Sequence, residues 1–168
     1  MVWFFSTLIR NNCLQIVYAA VLMFSMSNGV KANNLIYESN WAYVADTVMG
    51  GVSRGGAEFS AGALRLAGQV STKNNGGFIQ VRTRVDPNDV NNKTGIKIKV
   101  KGNGEIYYLH IRNASARLPW HYYTVNFKTT EKWEEITIPF EDFEKSATFM
   151  PKKLKADTIR TIGLVAYG

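Results

Sequence analysis

Apolar and polar side chains alternate in steps of two along most of this chain. That period fits a β-strand with one wet face and does not fit an amphipathic helix. Ile96, Ile98 and Val100 alternate with Lys97, Lys99 and Lys101, and Leu64 and Leu66 with Arg65 and Ala67. The same pattern predicts strands from Phe78 through Arg84, Glu105 to Arg112, Trp120 to Phe127, Trp133 to Ile138 and Ile159 to Tyr167. No segment carries a sustained 3.6-residue apolar stripe. Gly, Asn and Pro cluster between the strands, as in Asp86-Pro87-Asn88, Asn91-Asn92 and Gly102-Asn103-Gly104. The expectation is all-β: an antiparallel sandwich or jelly roll. Phe140 to Phe143 reads as one short turn pinned to the core by its two rings. The last strand runs almost to Gly168 without a polar tail. A further C-terminal strand is therefore expected, and its lack would leave an open sheet edge.

The first residues read differently. Arg10 is the only charge before an apolar run from Cys13 to Met26, which Ser27-Asn28-Gly29 breaks. Val30-Lys31-Ala32 then offers small residues where a signal peptidase inspects the chain, so residues 1–32 are expected to be a cleavable leader. The run is shorter than the roughly 20 residues of a spanning helix, so no stable membrane span is expected after cleavage. Residues 33–168 form one domain, periplasmic or secreted. This part has 136 residues, with 18 basic against 13 acidic side chains. That length is enough for a single core. Cys13, the only cysteine, leaves with the leader, so neither a disulfide nor thiol chemistry supports the mature domain.

The basic excess is spread along the chain. Lys97, Lys99 and Lys101 form the wet face of a strand, and Lys152, Lys153 and Lys155 cluster after Pro151. Nucleic-acid binding would want basic residues interleaved with stacking aromatics on one surface, and an export signal argues further against it. Catalysis has little support. There is no Gly-x-Ser-x-Gly or His-Glu-x-x-His, and the two histidines are His110 and His121. A metal site from Asp46, Asp86 and Asp89 lacks any recognised ligand spacing, and nothing calls for a cofactor.

Two stretches are dense in uncommon choices. In Asp46-Thr47-Val48-Met49-Gly50-Gly51-Val52-Ser53, the double glycine admits positive φ and close approach of another group. One reading is a partner or ligand loop using Asp46, Met49, Gly50, Gly51 and Ser53. The other is a tight connection held by Asp46, with Val48 and Met49 dropped into the core. In Asn74-Asn75-Gly76-Gly77-Phe78, Asn-Gly is a strong hairpin signal. The functional alternative puts Asn75, Gly76, Gly77 and Arg82 beside the first loop in a shared cleft. A third group is aromatic and basic. Tyr108, His110 and Arg112 share one face of their strand, opposite the core face of Tyr107, Leu109 and Ile111. Paired with the next strand, they would join Trp120 and Tyr122 in a patch suited to sugars, whose C–H faces meet flat rings. Space-filling on a covered face is the other reading.

Set in order, these pieces resemble the complex I intermediate-associated protein family. The lead-in Trp41-Ala42-Tyr43-Val44-Ala45 and the Asp46–Ser53 stretch look like its signature. Asn75-Gly76-Gly77-Phe78 with Arg82, Gly104 with Tyr107 to Arg112, Trp133 with Ile138-Pro139-Phe140 and Phe143, and Ile162-Gly163-Leu164 follow in register. The resemblance covers about residues 35–167. It implies a galactose-binding-domain-like β-sandwich. Mitochondrial members assist assembly of the respiratory NADH:ubiquinone oxidoreductase by binding and not by catalysis. The resemblance implies a binding role, and the export signal makes the expected partner a protein of the cell envelope. The aromatic–basic face keeps a glycan as the alternative.

Overall fold

The structure, a computed structural model, describes residues 14–23, 35, 40–60 and 62–168, and of residues 14–23 it gives the backbone pairing. The alternating segments form strands as expected. In chain order these are β1 (Leu14–Met23), β2 (Ala42–Ala45), β3 (Arg54–Ser60), β4 (Ala63–Gln69), β5 (Phe78–Arg84) and β6 (Gly95–Gly102). There follow β7 (Ile106–Asn113), β8 (Tyr123–Lys128), β9 (Glu134–Pro139), β10 (Glu144–Lys145) and β11 (Ile159–Tyr167). A single α-helical turn, α1 (Pro87–Val90), is capped by the Asp86 side chain, which accepts from the Asn88 N–H. No helix among the described residues is long and apolar enough to cross a membrane.

Two antiparallel sheets result. One has the order β3-β4-β1-β6-β9 and the other β10-β8-β7-β11-β5-β2. The chain changes sheet after β1, β2, β4, β5, β6, β8 and β9, so sequence neighbours mostly face each other across the core. That is jelly-roll connectivity. Ile96, Ile98 and Val100 from one sheet and Tyr107, Leu109, Ile111, Ile162 and Leu164 from the other are all buried in the shared core. Between the sheets, Phe140 and Phe143 pack with ring centroids 6.3 Å apart and close one end, as the sequence suggests.

Three expectations are corrected here. Asn74–Phe78 does not turn a hairpin, because β4 and β5 lie in different sheets. The left-handed positions are Asn74 and Asn75, both at φ 57°, and Gly76 sits at φ −78°. A type I′ turn at Asn75-Gly76 would need positive φ at both. The strand expected to begin at Trp120 begins at Tyr123, and Trp120 to Tyr122 belong to the preceding loop. The last strand is not at an edge: β11 pairs with β5 on one side and β7 on the other.

β1 falls inside the apolar run expected to be the leader. It pairs antiparallel with β4 through Leu14↔Gln69 to Ala19↔Leu64, and with β6 through Val17↔Gly102 to Met23↔Lys97. The cleavage position at Ala32 lies outside the described residues. A cut there would take the middle strand out of the five-stranded sheet.

Candidate functional site

The chain leaves β2 at Ala45 and makes one 3-10 turn, Asp46–Met49, which ends in left-handed Gly50 at φ 89°. That turn points the Asp46 carboxylate inward, where it is fully buried. Oδ1 accepts from the Ser53 N–H at 2.9 Å, and Oδ2 from the Ser53 hydroxyl at 2.5 Å, the Gly77 N–H at 2.6 Å and the Phe78 N–H at 3.3 Å. Ser53 Oγ in turn accepts from the Ser71 N–H at 2.9 Å. Burial alone would raise the Asp46 carboxyl. The Ser53 hydroxyl and the Gly77, Ser53 and Phe78 amides outweigh it and hold the group below its ordinary value.

This hub explains both glycine pairs. A Cβ on Gly51 would fall 2.3 Å from Asp46 Cγ, and one on Gly76 would fall 2.4 Å from Asp46 Oδ2. Both glycines are places where backbone must approach the carboxylate closely. Gly50 and Gly77 supply the positive φ that brings the two segments around it. Asp46, Gly51, Ser53, Gly76 and Gly77 therefore form one internal cluster joining two loops. Outside it, Asn74 Nδ2 donates to the Gly50 carbonyl at 3.3 Å and ties the loop surfaces together.

The expectation that Val48 and Met49 enter the core is corrected. Val48 is 71% exposed, Met49 67% and Val52 41%. The loop is inverted: its charge is inside and its apolar side chains are outside. Met49, Gly50 and Asn75 lie on the outer surface of this knuckle.

Arg82 does not belong to it. On β5 it lies opposite Ala42 of β2 and Gly163 of β11. Gly163 in turn stands opposite His110 of β7. Arg82 thus shares the outer face of the six-stranded sheet with the aromatic–basic group, and its charge bears on Arg112.

On that face the Tyr122 ring stacks on His110 at 3.9 Å and 14°. Tyr167 approaches His110 Nε2 through its hydroxyl at 3.4 Å and meets Tyr108 edge-on at 5.0 Å. Burial pushes the His110 imidazole down to about 4, so it is neutral at physiological pH. Burial, then the Tyr122 and Tyr108 hydroxyls, push the Tyr167 phenol well up. Arg112 is occupied: its guanidinium donates to the carbonyls of His121 at 3.3 Å, Ala116 at 3.2 Å and Leu118 at 3.0 Å. It shapes the loop that carries Trp120. Trp120 is 61% exposed and touches His121 edge-on rather than joining the stacked rings. Tyr167 and Gly163 were not among the expected face residues. The parity of β11 puts them on one side, but only the β7–β11 pairing, remote in sequence, brings them to His110.

The sequence profile of Complex I intermediate-associated protein 30 (CIA30) matches residues 31–168. This chain belongs to the CIA30 family. No curated protein matches it. The fold of this CIA30 domain is similar to that of the family 11 carbohydrate-binding module of the cellulosomal cellulase Lic26A-Cel5E of Clostridium thermocellum. That match has 16% identity and TM-score 0.57, covering 89% of this chain and 85% of the module. A second structure of a Clostridium thermocellum family 11 module, in complex with a β-1,3-1,4-mixed-linked tetrasaccharide, matches at 15% identity and TM-score 0.54, covering 89% and 88%. At such identity these neighbours bear on the fold alone, and they bear out the jelly-roll sandwich for the CIA30 domain.

Proposed function

We propose that this CIA30 domain is an exported, non-catalytic binding module that holds a protein partner of the cell envelope on the knuckle formed by Val48, Met49 and Val52. One observation carries the reading: a fully buried carboxylate is spent on holding a loop whose three apolar side chains face water. Burying a Val or Met side chain is worth about 1.5–3 kcal/mol, and here most of that remains available to a partner. Exposed apolar clusters on a braced loop are what interface anchors look like. The apolar run from Cys13 to Met26, followed by Val30-Lys31-Ala32, supports export.

A photo-crosslinker at position 49 tests this in the exporting host. A discrete crosslinked protein is expected from position 49, not from position 56 on the edge strand β3, and it should vanish with Val48→Asp. The same smear from both positions would remove the knuckle as a partner site. Export has its own measurement: the mass of the chain recovered outside the cytoplasm, expected to begin at Asn33.

A glycan remains the second reading, favoured by the His110–Tyr122 stack beside Tyr108 and Tyr167. One structural neighbour holds a tetrasaccharide. Titration calorimetry with that mixed-linked sugar, against Tyr122→Ala, decides it. Heat that is absent at millimolar sugar, or unchanged in the variant, discards the face as a glycan site.

A further inference from the structure

Two loops lie outside the knuckle, and the ring face takes only Tyr122 from them. They are Ala114–Tyr122, between β7 and β8, and the stretch from Ser146 to Lys155 after β10. They are clipped together. The Ser146 hydroxyl donates to the Trp120 carbonyl at 2.9 Å and accepts the Tyr122 N–H at 2.9 Å, and the Ser146 N–H donates to the Tyr122 carbonyl at 2.8 Å. The Phe149 ring meets His121 edge-on at 4.7 Å. His121 itself is buried and accepts the Leu118 N–H through Nδ1 at 3.1 Å. Two cations hold the backbone: Arg112 binds carbonyls of the first loop, and Lys145 Nζ donates to the Thr148 and Met150 carbonyls at 2.6 and 2.7 Å.

So braced, the loops send three large apolar side chains outward. Trp120 is 61% exposed, Phe149 56% and Leu118 43%. The same two loops carry Arg117, Lys152, Lys153 and Lys155, all exposed. From Ala114 to Tyr122 and from Lys145 to Lys155 there is no acidic residue; Glu144 and Asp157 only bracket the second stretch. Elsewhere this chain mixes its signs, as in the Lys97–Glu135 ion pair at 2.8 Å across β6 and β9.

We propose that the paired loops 114–122 and 146–155 dock the domain onto an anionic bilayer surface. An exposed Trp, Phe and Leu on two loops whose exposed charges are all basic match the chemistry of such a surface. The apolar groups enter the boundary between headgroups and acyl chains, while Lys and Arg meet the negative surface potential. A nucleic-acid site would instead line rings in a row along a basic groove. Here Trp120 and Phe149 stand on different loops, and each meets the buried His121 edge-on.

Flotation of the full chain with vesicles tests this, since the apolar run at residues 14–23 is common to every variant. Wild type is expected to float with phosphatidylglycerol-containing vesicles and to release as salt rises. It should bind pure phosphatidylcholine far less. Each Lys near an anionic surface is worth about a factor of five in partitioning, so Lys152→Gln with Lys153→Gln should weaken binding roughly thirtyfold. Trp120→Ala with Phe149→Ala should weaken it at least tenfold, and brominated lipid should quench wild-type tryptophan emission more than that of Trp120→Phe. All these positions are exposed, and circular dichroism verifies that the variants remain folded. Equal binding to both lipids, or unchanged flotation of both double variants, overturns the proposal. So does tighter capture of a duplex DNA than of the vesicles.

Discussion

Asp46→Asn separates a carboxylate that builds the fold from one that faces a partner. The substitution keeps volume and removes one acceptor. If the amide oxygen takes the Oδ2 place, it can still serve Ser53 Oγ, Gly77 N and Phe78 N. Its NH2 then faces the Ser53 N–H, donor against donor, at a position now 2.9 Å apart. Bonds to a charged acceptor are worth about 1.5–3 kcal/mol and neutral ones about 0.5–1.5. Losing one charged bond and weakening three should cost about 4 kcal/mol, a large share of the roughly 5–15 kcal/mol that holds a domain together. In urea, with a slope of about 2 kcal/mol per molar, the midpoint should fall by about 2 M. The pH dependence has a definite sign. A carboxyl held below its unfolded value contributes fully above about pH 4, and the contribution is lost as pH falls through the lower folded value. That acid-side slope should flatten in Asp46→Asn. A midpoint shift worth less than about 1 kcal/mol would refute the hub. So would lost crosslinking from position 49 with unchanged stability.

Other outcomes follow from the same geometry. Gly51→Ala and Gly76→Ala should each lower the thermal midpoint sharply, by about 3 kcal/mol or more of stability. Gly56→Ala, where an added Cβ meets nothing within 4 Å, should be near neutral, and equal effects at the three sites would contradict the close-approach account. Because His110 stays neutral in the fold down to about pH 4, the unfolded chain takes up a proton first as pH falls below about 6.5. Stability should therefore decline between those values and decline less in His110→Gln; an NMR titration placing the ring near 6.5 would refute its burial. Ala19→Pro should destabilise the full chain, since Ala19 stands opposite both Leu64 and Val100. An unaltered urea midpoint would remove β1 from the sheet.

Much of the sandwich was legible because its strands have one wet face. The Ile/Lys alternation of β6 and the two faces of β7 needed no tertiary information. β3 was not legible: Arg54-Gly55-Gly56-Ala57 has no alternation, and its place comes from pairing with β4. The Asn75-Gly76 hairpin misled because local turn chemistry does not say whether the next strand joins the same sheet. The Asp46 stretch stood out by composition, yet its inside and outside were reversed. Apolar side chains ordinarily seek the core, and nothing local says that the distant Gly77 and Phe78 amides join Ser53 in donating to Asp46. For the candidate faces, the β7 ring face was half visible from parity. Its other half, Arg82, Gly163 and Tyr167, required the remote pairing of β11 with β5 and β7.

The position of β1 sets a clock. If residues 14–23 also serve as the proposed leader, they cannot sit in a translocation channel and hydrogen-bond to β4 and β6 at the same moment. While the segment is engaged elsewhere, the hairpin β3–β4 and the pair β6–β9 have no strand between them. Their inner edges then lack the partner that β1 supplies. On the proposed export route, translocation and sheet pairing would draw on the same ten residues. A five-stranded sheet wired in this way waits on residues 14–23 for its middle strand.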